Sequence, residues 1–356
     1  MRARLRDLGV VIGRFPAGDW NAITDVPGVT VGYQTVLSDA PVCLRTGVTA
    51  IWPRGREVIA DDPVFAGISA FNGNGELTGS LWLNEQGLLS GPVCLTGTYA
   101  VGLVRDAVNA YGALHGVSLC ADLPVVAETW DGWLSTPGAG LEAADVFAAL
   151  DGARSGAVAE GNIGGGTGMI CHEFKGGTGT ASRRVSLGGE AFTVGALVQA
   201  NYGRRDLLRV NGVPAGKHLG LDQIPSAHPR QDSADSGSLI VVLGTDAPLL
   251  PLQCQRLARR AVLGMARAGG IGADGSGDIF LAFSTANHPG RGQITTVRTA
   301  DPVMLSDLFE AAGEAVEESI LNALTAAETM TGAQGRVAPS LPLDRLAEIM
   351  RKAALF

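Results

Sequence analysis

Short apolar runs punctuated by glycine and proline dominate the first part of the chain. "GVTVGYQTV", "GVTAIWP", "VFAGISAFNGNG" and "GPVCLTGTYAVG" are rich in β-branched and aromatic residues and bounded by turn formers, so each predicts a strand. The period then changes. In "GLVRDAVNAYGALHG", Leu103, Val104, Ala107, Val108 and Tyr111 recur at helical spacing and glycine follows, which predicts a helix. "PVVAETWDGWL" predicts a further strand and "LEAADVFAALDGA" a second short helix. From Ala159 to Asp206, glycine clusters alternate with strand-like runs, the pattern of a meander with tight turns. Residues 207–237 show no period and many turn formers, a long irregular segment of the kind that carries function or stays unstructured.

The sharpest change comes at Ser238. Polar "DSADSG" gives way to Ser238-Leu239-Ile240-Val241-Val242-Leu243, a buried strand entered through a hydroxyl residue preceded by glycine. "TDAPLLPLQCQRLARRAVLGMARAGG" then predicts one helix, capped by Thr245 or Asp246, with Pro248 in its first turn and Gly269-Gly270 at its end. "GADGSGDIFLAFSTAN" is a glycine-rich entry into another strand, and two amphipathic helices close the chain. Many strands with helices as covering layers imply mixed sheets sandwiched by helices.

Composition narrows the class. Of 356 residues, 46% are hydrophobic and 17% charged, a globular balance, and the 50 glycines follow no collagen period. A net charge of -8 without a basic block argues against a nucleic-acid partner. Cys43, Cys94, Cys120, Cys171 and Cys254 are scattered, odd in number and free of C-x-x-C spacing, as expected of reduced thiols in the cytoplasm. The N-terminus lacks an apolar signal region, and no run is long enough to span a bilayer, so no membrane partner is expected.

Phosphate loops fail on spacing: "GNIGGGTGMI" is out of register for a dinucleotide motif, and Gly216-Lys217 runs into His218. His115, His172, His218, His228 and His288 stand apart, and Cys171 and His172, adjacent in an expected strand, would face opposite ways, so no metal or cofactor is expected. A serine hydrolase would need a histidine base, which Ser276 in "DGSGDIF" does not have. A free α-amine, with an ordinary pKa of about 7.7–8.0, can serve instead. Cleavage between Gly237 and Ser238 would place nucleophile and base on one residue. Ser238 Oγ could attack the Gly237 carbonyl, and glycine permits the backbone geometry this needs.

These residues carry a resemblance. "GSLIVVLGTDAPLLPLQCQRLARRA", "GSGDIFLAFSTAN", "EGNIGGGTGMICHEFKGGTGTASR", "LVQANYGRR" and "NAITDVPGVTVG", in their order along the chain, are similar to the self-processing aminopeptidases that include L-aminopeptidase D-amidase/D-esterases and β-peptidyl aminopeptidases. The resemblance implies an α+β, four-layer αββα N-terminal-nucleophile hydrolase over 1–356, cut into chains 1–237 and 238–356. It implies Ser238 as nucleophile, Ser276 and Asp278 as its assistants and Asn201 as oxyanion donor. Glu128 would bind the substrate amine, with Trp130 and Trp133 as pocket walls. Some relatives are expected to carry Glu where Asp278 stands, and the shorter side chain reaches less far. The implied substrate is a small peptide or amino-acid amide, and the implied assembly a homo-oligomer, a tetramer of cleaved protomers. Two alternatives stand beside this reading: an aminoacyl transferase or amidase using the same acyl-enzyme, and an uncleaved small-molecule-binding homologue.

Overall fold

The early apolar runs become strands β1 (Thr30–Ser38), β2 (Leu44–Trp52) and β3 (Val64–Gly73). The computed structural model describes residues 2–116, 123–138, 140–227, 237–290, 292 and 294–353; Cys120, His228 and the run 232–236 lie outside these. Helix α1 (Ser80–Gln86) comes next, then β4 (Leu88–Leu89), β5 (Val93–Gly97), α2 (Val101–Leu114), β6 (Val125–Thr129) and α3 (Ala143–Asp151). The glycine-rich region forms a small hairpin, β7 (Ile170–Cys171) and β8 (Phe174–Lys175), and two long strands, β9 (Gly177–Leu187) and β10 (Glu190–Asn201). Beyond them lie β11 (Ser238–Thr245), α4 (Pro251–Ala258), α5 (Ala261–Arg267) and β12 (Gly277–Ser284). The long α6 (Leu305–Ala326), the hairpin β13 (Met330–Thr331) and β14 (Val337–Ala338), and α7 (Leu343–Ala353) end the described chain.

Two sheets carry the architecture, with strand orders β1-β2-β5-β6 and β4-β3-β12-β11-β10-β9. Residues of β11 alternate between two cores. Ile240 and Val242 join a core shared with the smaller sheet and with α2 and α3, while Leu239, Val241 and Leu243 join one shared with α4, α5 and α6. The layers are therefore α4/α5/α6, large sheet, small sheet, α2/α3: the αββα sandwich. A strand covered on both faces needs a continuous apolar run, and residues 239–243 supply it.

β11 and β12 are parallel neighbours, so the chain must cross back between them, and α4 and α5 make that crossover. The crossing brings the entrances of both strands to one edge. There Asn201, Ser238, Gly277 and Gly73 form a single register row across β10, β11, β12 and β3.

Two sequence expectations change. The helix expected from Thr245 starts instead at Pro251 and breaks between Ala258 and Ala261. Thr245 completes β11, and the Asp246 carboxylate accepts the Thr193 N–H at 2.6 Å rather than capping a helix. The cap is made from inside, where Gln253 Oε1 accepts the Leu250 N–H at 2.8 Å and Pro251 occupies the first turn. His172 does not continue a strand with Cys171. It turns the β7–β8 hairpin with Glu173, both at positive φ (49° and 64°).

Candidate active site

Ser238 sits at the head of β11, nearly buried, in the floor of a cavity of about 470 Å³. The cavity is also lined by Asn201, Glu128, Thr98, Trp130 and Gly275. Ser238 Oγ accepts the Gly277 N–H at 3.3 Å, and the Gly237 carbonyl oxygen accepts the same N–H at 3.2 Å. One donor therefore holds both the hydroxyl and the carbonyl that precedes it. Gly237 has no room for a side chain: a Cβ there would lie 2.5 Å from the Asn201 carbonyl oxygen and 2.7 Å from Tyr202 Cα.

Asn201 closes β10 directly opposite Ser238. Its Oδ1 accepts the Ile170 N–H at 2.8 Å, and its Nδ2 donates to the Trp130 carbonyl at 3.1 Å. The backbone donor fixes which way the amide faces, so one Nδ2–H has no partner among the described residues, on a side chain that lines the cavity. The hairpin supplying Ile170 is braced by Lys175. Its fully buried Nζ donates to the carbonyls of Met169 (2.9 Å), Gly176 (3.0 Å) and Gly166 (3.3 Å). Burial draws the Lys175 ammonium down to about 7, while three converging carbonyls favour its charged form.

Glu128 reaches the cavity from β6 in the other sheet. Its Oε1 accepts the Glu76 N–H at 3.1 Å, and its Oε2 accepts the Thr98 hydroxyl. Both oxygens are thus oriented, and the carboxylate is 4% exposed, available to a cation that enters the cavity. Trp130 forms a half-exposed wall, its indole folded back over Gly132, where a Cβ would lie 2.5 Å from the ring nitrogen. Trp133 lies elsewhere, packed with Leu134 and Ile170 beneath the Arg336 guanidinium, 4.1 Å from its ring centroid.

Ser276 and Asp278 lie beside Ser238 but behind the sheet. Asp278 shares the face of Phe280 and Ala282, which joins the helix-side core, whereas Ser238 shares that of Ile240 on the cavity side. Ser276 Oγ donates to Asp278 Oδ1 at 2.8 Å, and Asn72 Nδ2 donates to Oδ2 at 3.2 Å. Burial pushes the Asp278 carboxyl up from its ordinary value, and Ser276, Asn72 and the Leu239 backbone pull it back. Gly277, between the two in sequence, pairs with Ser238 in the register of β12 against β11. Asn72, Thr98, Ile170 and Lys175 are not singled out by the sequence. A lysine followed by two glycines reads as surface, and the others act through register or backbone.

Two sheets, a serine at the head of a central strand and an oriented carboxylate across the cavity define a class, and comparisons with known proteins agree. Residues 21–338 match peptidase family S58. Beta-peptidyl aminopeptidase BapA of Sphingosinicella microcystinivorans is 46% identical, over 98% of this chain and 92% of that protein. The solved Burkholderia sp. beta-aminopeptidase superposes with a TM-score of 0.90 at 48% identity, covering 98% of this chain and 99% of the other. The L-aminopeptidase D-ala-esterase/amidase of Ochrobactrum anthropi, described as a prototype serine aminopeptidase with a variant of the Ntn-hydrolase fold, gives 0.89 at 43% identity, covering 99% of each. The molecule is a serine aminopeptidase with the N-terminal-nucleophile hydrolase fold. The chain belongs to peptidase family S58.

Proposed function

We propose that the chain cuts itself between Gly237 and Ser238 and then removes N-terminal residues from small peptides, amides or esters through an acyl-Ser238 intermediate. The observation that carries this is the shared Gly277 N–H, which holds the Ser238 hydroxyl against the Gly237 carbonyl. In the cut, Ser238 Oγ attacks the Gly237 carbonyl carbon and the Gly237–Ser238 C–N bond breaks. The product is an ester on Oγ with a free Ser238 amine, and water opens the ester. Intact-mass measurement with N-terminal sequencing tests this: two chains, one starting at Ser238, are expected. Active enzyme that starts only at Met1 would leave no amine at Ser238 and end the proposal.

In turnover the Ser238 amine takes the hydroxyl proton as Oγ attacks the substrate carbonyl. The free Nδ2–H of Asn201 donates to the oxyanion, and the leaving amine takes the proton back. Water then attacks the acyl ester, again giving its proton to the Ser238 amine. Ser276 and Asp278 orient that amine from behind the strand and stabilise it when protonated. Glu128, with both oxygens already held, pairs with the substrate's terminal ammonium, so a blocked N-terminus is rejected. β-Amino-acid substrates are included because two relatives, at 46% and 48% identity, are named for them. The cleaved protomers assemble as a cytoplasmic homo-oligomer, with Leu81 and Leu252 among the exposed apolar residues available for contacts.

Glu128→Gln is expected to lower kcat/KM for substrates with a free amine by about 10- to 100-fold, the worth of a charge-assisted hydrogen bond. Self-cleavage, which presents no terminal amine to Glu128, should slow far less. Rates for an aminoacyl p-nitroanilide and for precursor conversion, measured on the same preparation, make the comparison. Equal losses in both would make Glu128 a folding residue.

A further inference from the structure

We propose that Asn72 is a positioning residue that aims the Asp278 carboxylate at Ser276 by anchoring its second oxygen, and that a one-residue bulge at Phe71 exists to place it there. The proposal rests on the reading of Ser276 and Asp278 as assistants of Ser238. β3 and β12 pair regularly from Phe65–Ser284 to Ala70–Ile279, and then the register slips so that Asn72 opposes Asp278 and Phe71 has no counterpart. In an unbroken ladder Phe71 would stand opposite Asp278, and Asn72 would stand opposite Gly277 and face the other side. The slip exchanges an aromatic ring for an amide at the carboxylate.

The contacts reflect that exchange. Asn72 Nδ2 donates to Asp278 Oδ2 at 3.2 Å and to the Ala273 carbonyl at 3.0 Å, in the turn that delivers Ser276. Asp278 Oδ1 is left to accept the Ser276 hydroxyl at 2.8 Å. The same end of β3 holds the rest of the turn: Asn74 Nδ2 donates to the Gly275 carbonyl at 2.8 Å, and the Asn74 N–H to the Ser276 carbonyl at 3.3 Å. Phe71, displaced to the surface and half exposed, lays its ring over Gly272, where a Cβ would be 2.0 Å from it. One side chain thus fixes both the carboxylate and the loop bearing its partner.

Among the described residues, few titratable groups lie near Asp278. β3 and β11, the strands on either side, carry no titratable side chain. Helix α4, packed on β3 and β12, brings buried Cys254 and Arg256, whose guanidinium lies over Phe309. Tyr202, at the end of β10, has a buried phenol that senses Asp278, and Asp274 in the turn is exposed. The Ser238 amine of the cut chain would join these groups. The neutral donors Ser276, Asn72 and the Leu239 backbone oppose the effect of burial, and losing Asn72 removes one that favours the ionised carboxylate.

The test uses full-length enzyme carrying Asn72→Leu, similar in size and without donors, and Asn72→Ser, which keeps a hydroxyl donor. For Asn72→Leu we expect kcat to fall with KM held. The loss should be about tenfold greater at the acid end of the kcat/KM profile than at the alkaline end, because Asp278 takes up its proton at higher pH. Precursor conversion, followed by intact mass, should show the same pH dependence. Asn72→Ser should recover most of the acid-end loss. A loss of the same factor at every pH, no recovery by serine, or failure of both variants to convert at any pH would overturn the proposal. Wild-type enzyme that neither cuts nor turns over in the same assays would instead remove the reading of the site on which it rests.

Discussion

Ser238→Ala is expected to yield one uncut chain of 36.6 kDa with aminopeptidase activity reduced at least about 10⁴-fold. The effect is large because a single atom is used twice. Without Oγ the Gly237–Ser238 bond is not opened, so the general base is never made, and no nucleophile remains to be acylated. The variant should still fold. Deleting Oγ removes one of the two acceptors of the Gly277 N–H, and the Gly237 carbonyl still takes that bond at 3.2 Å. Thermal melting close to that of wild type, beside a single band of full mass, would separate loss of chemistry from loss of structure. A Ser238→Ala chain that still turns over peptide would require another nucleophile and exclude the acyl-Ser238 route.

What could be read from the chain depended on whether the determinant is local. β11 was legible because a strand covered by both cores must be apolar at every position, and 239–243 are. Ser238 and Gly237 stood out at its head for the same reason. The helical crossover to β12 was legible too, except at its start and at the break between Ala258 and Ala261. Thr245 and Asp246 look like caps, but the register of β10 against β11 claims Thr245, and the Thr193 N–H claims Asp246. Asn201 illustrates the limit. Its residue type and its place before Tyr202-Gly203 suit a turn, and only pairing with a strand 37 positions away sets it opposite Ser238. Resemblance could point to Asn201, whereas its amide orientation depends on Ile170 and, behind that, on a buried lysine. Asn72 is further out of reach, since its position opposite Asp278 depends on a slipped register that no hydrophobic pattern announces.

That dependence makes Asn201 the second place where a single change should be costly. Asn201→Ala removes the free Nδ2–H, and kcat should fall by about 10²- to 10³-fold with KM little altered, because the oxyanion exists only in the transition state. Asn201→Asp is expected to be worse despite its identical shape. One carboxylate oxygen can still accept the Ile170 N–H at the place of Oδ1, which keeps the side chain in position. The other then turns a negative charge toward the Trp130 carbonyl and the developing oxyanion, where Nδ2 had offered a donor. Precursor conversion passes through an oxyanion of its own and should slow in parallel, so each variant must be incubated until intact mass shows two chains before kcat and KM are measured. The expected order is wild type, then alanine, then aspartate, with the aspartate variant recovering part of its activity as the pH is lowered and its carboxyl becomes a donor. An alanine variant that raises KM and leaves kcat untouched would place Asn201 in ground-state binding and send the search for the oxyanion donor to the backbone.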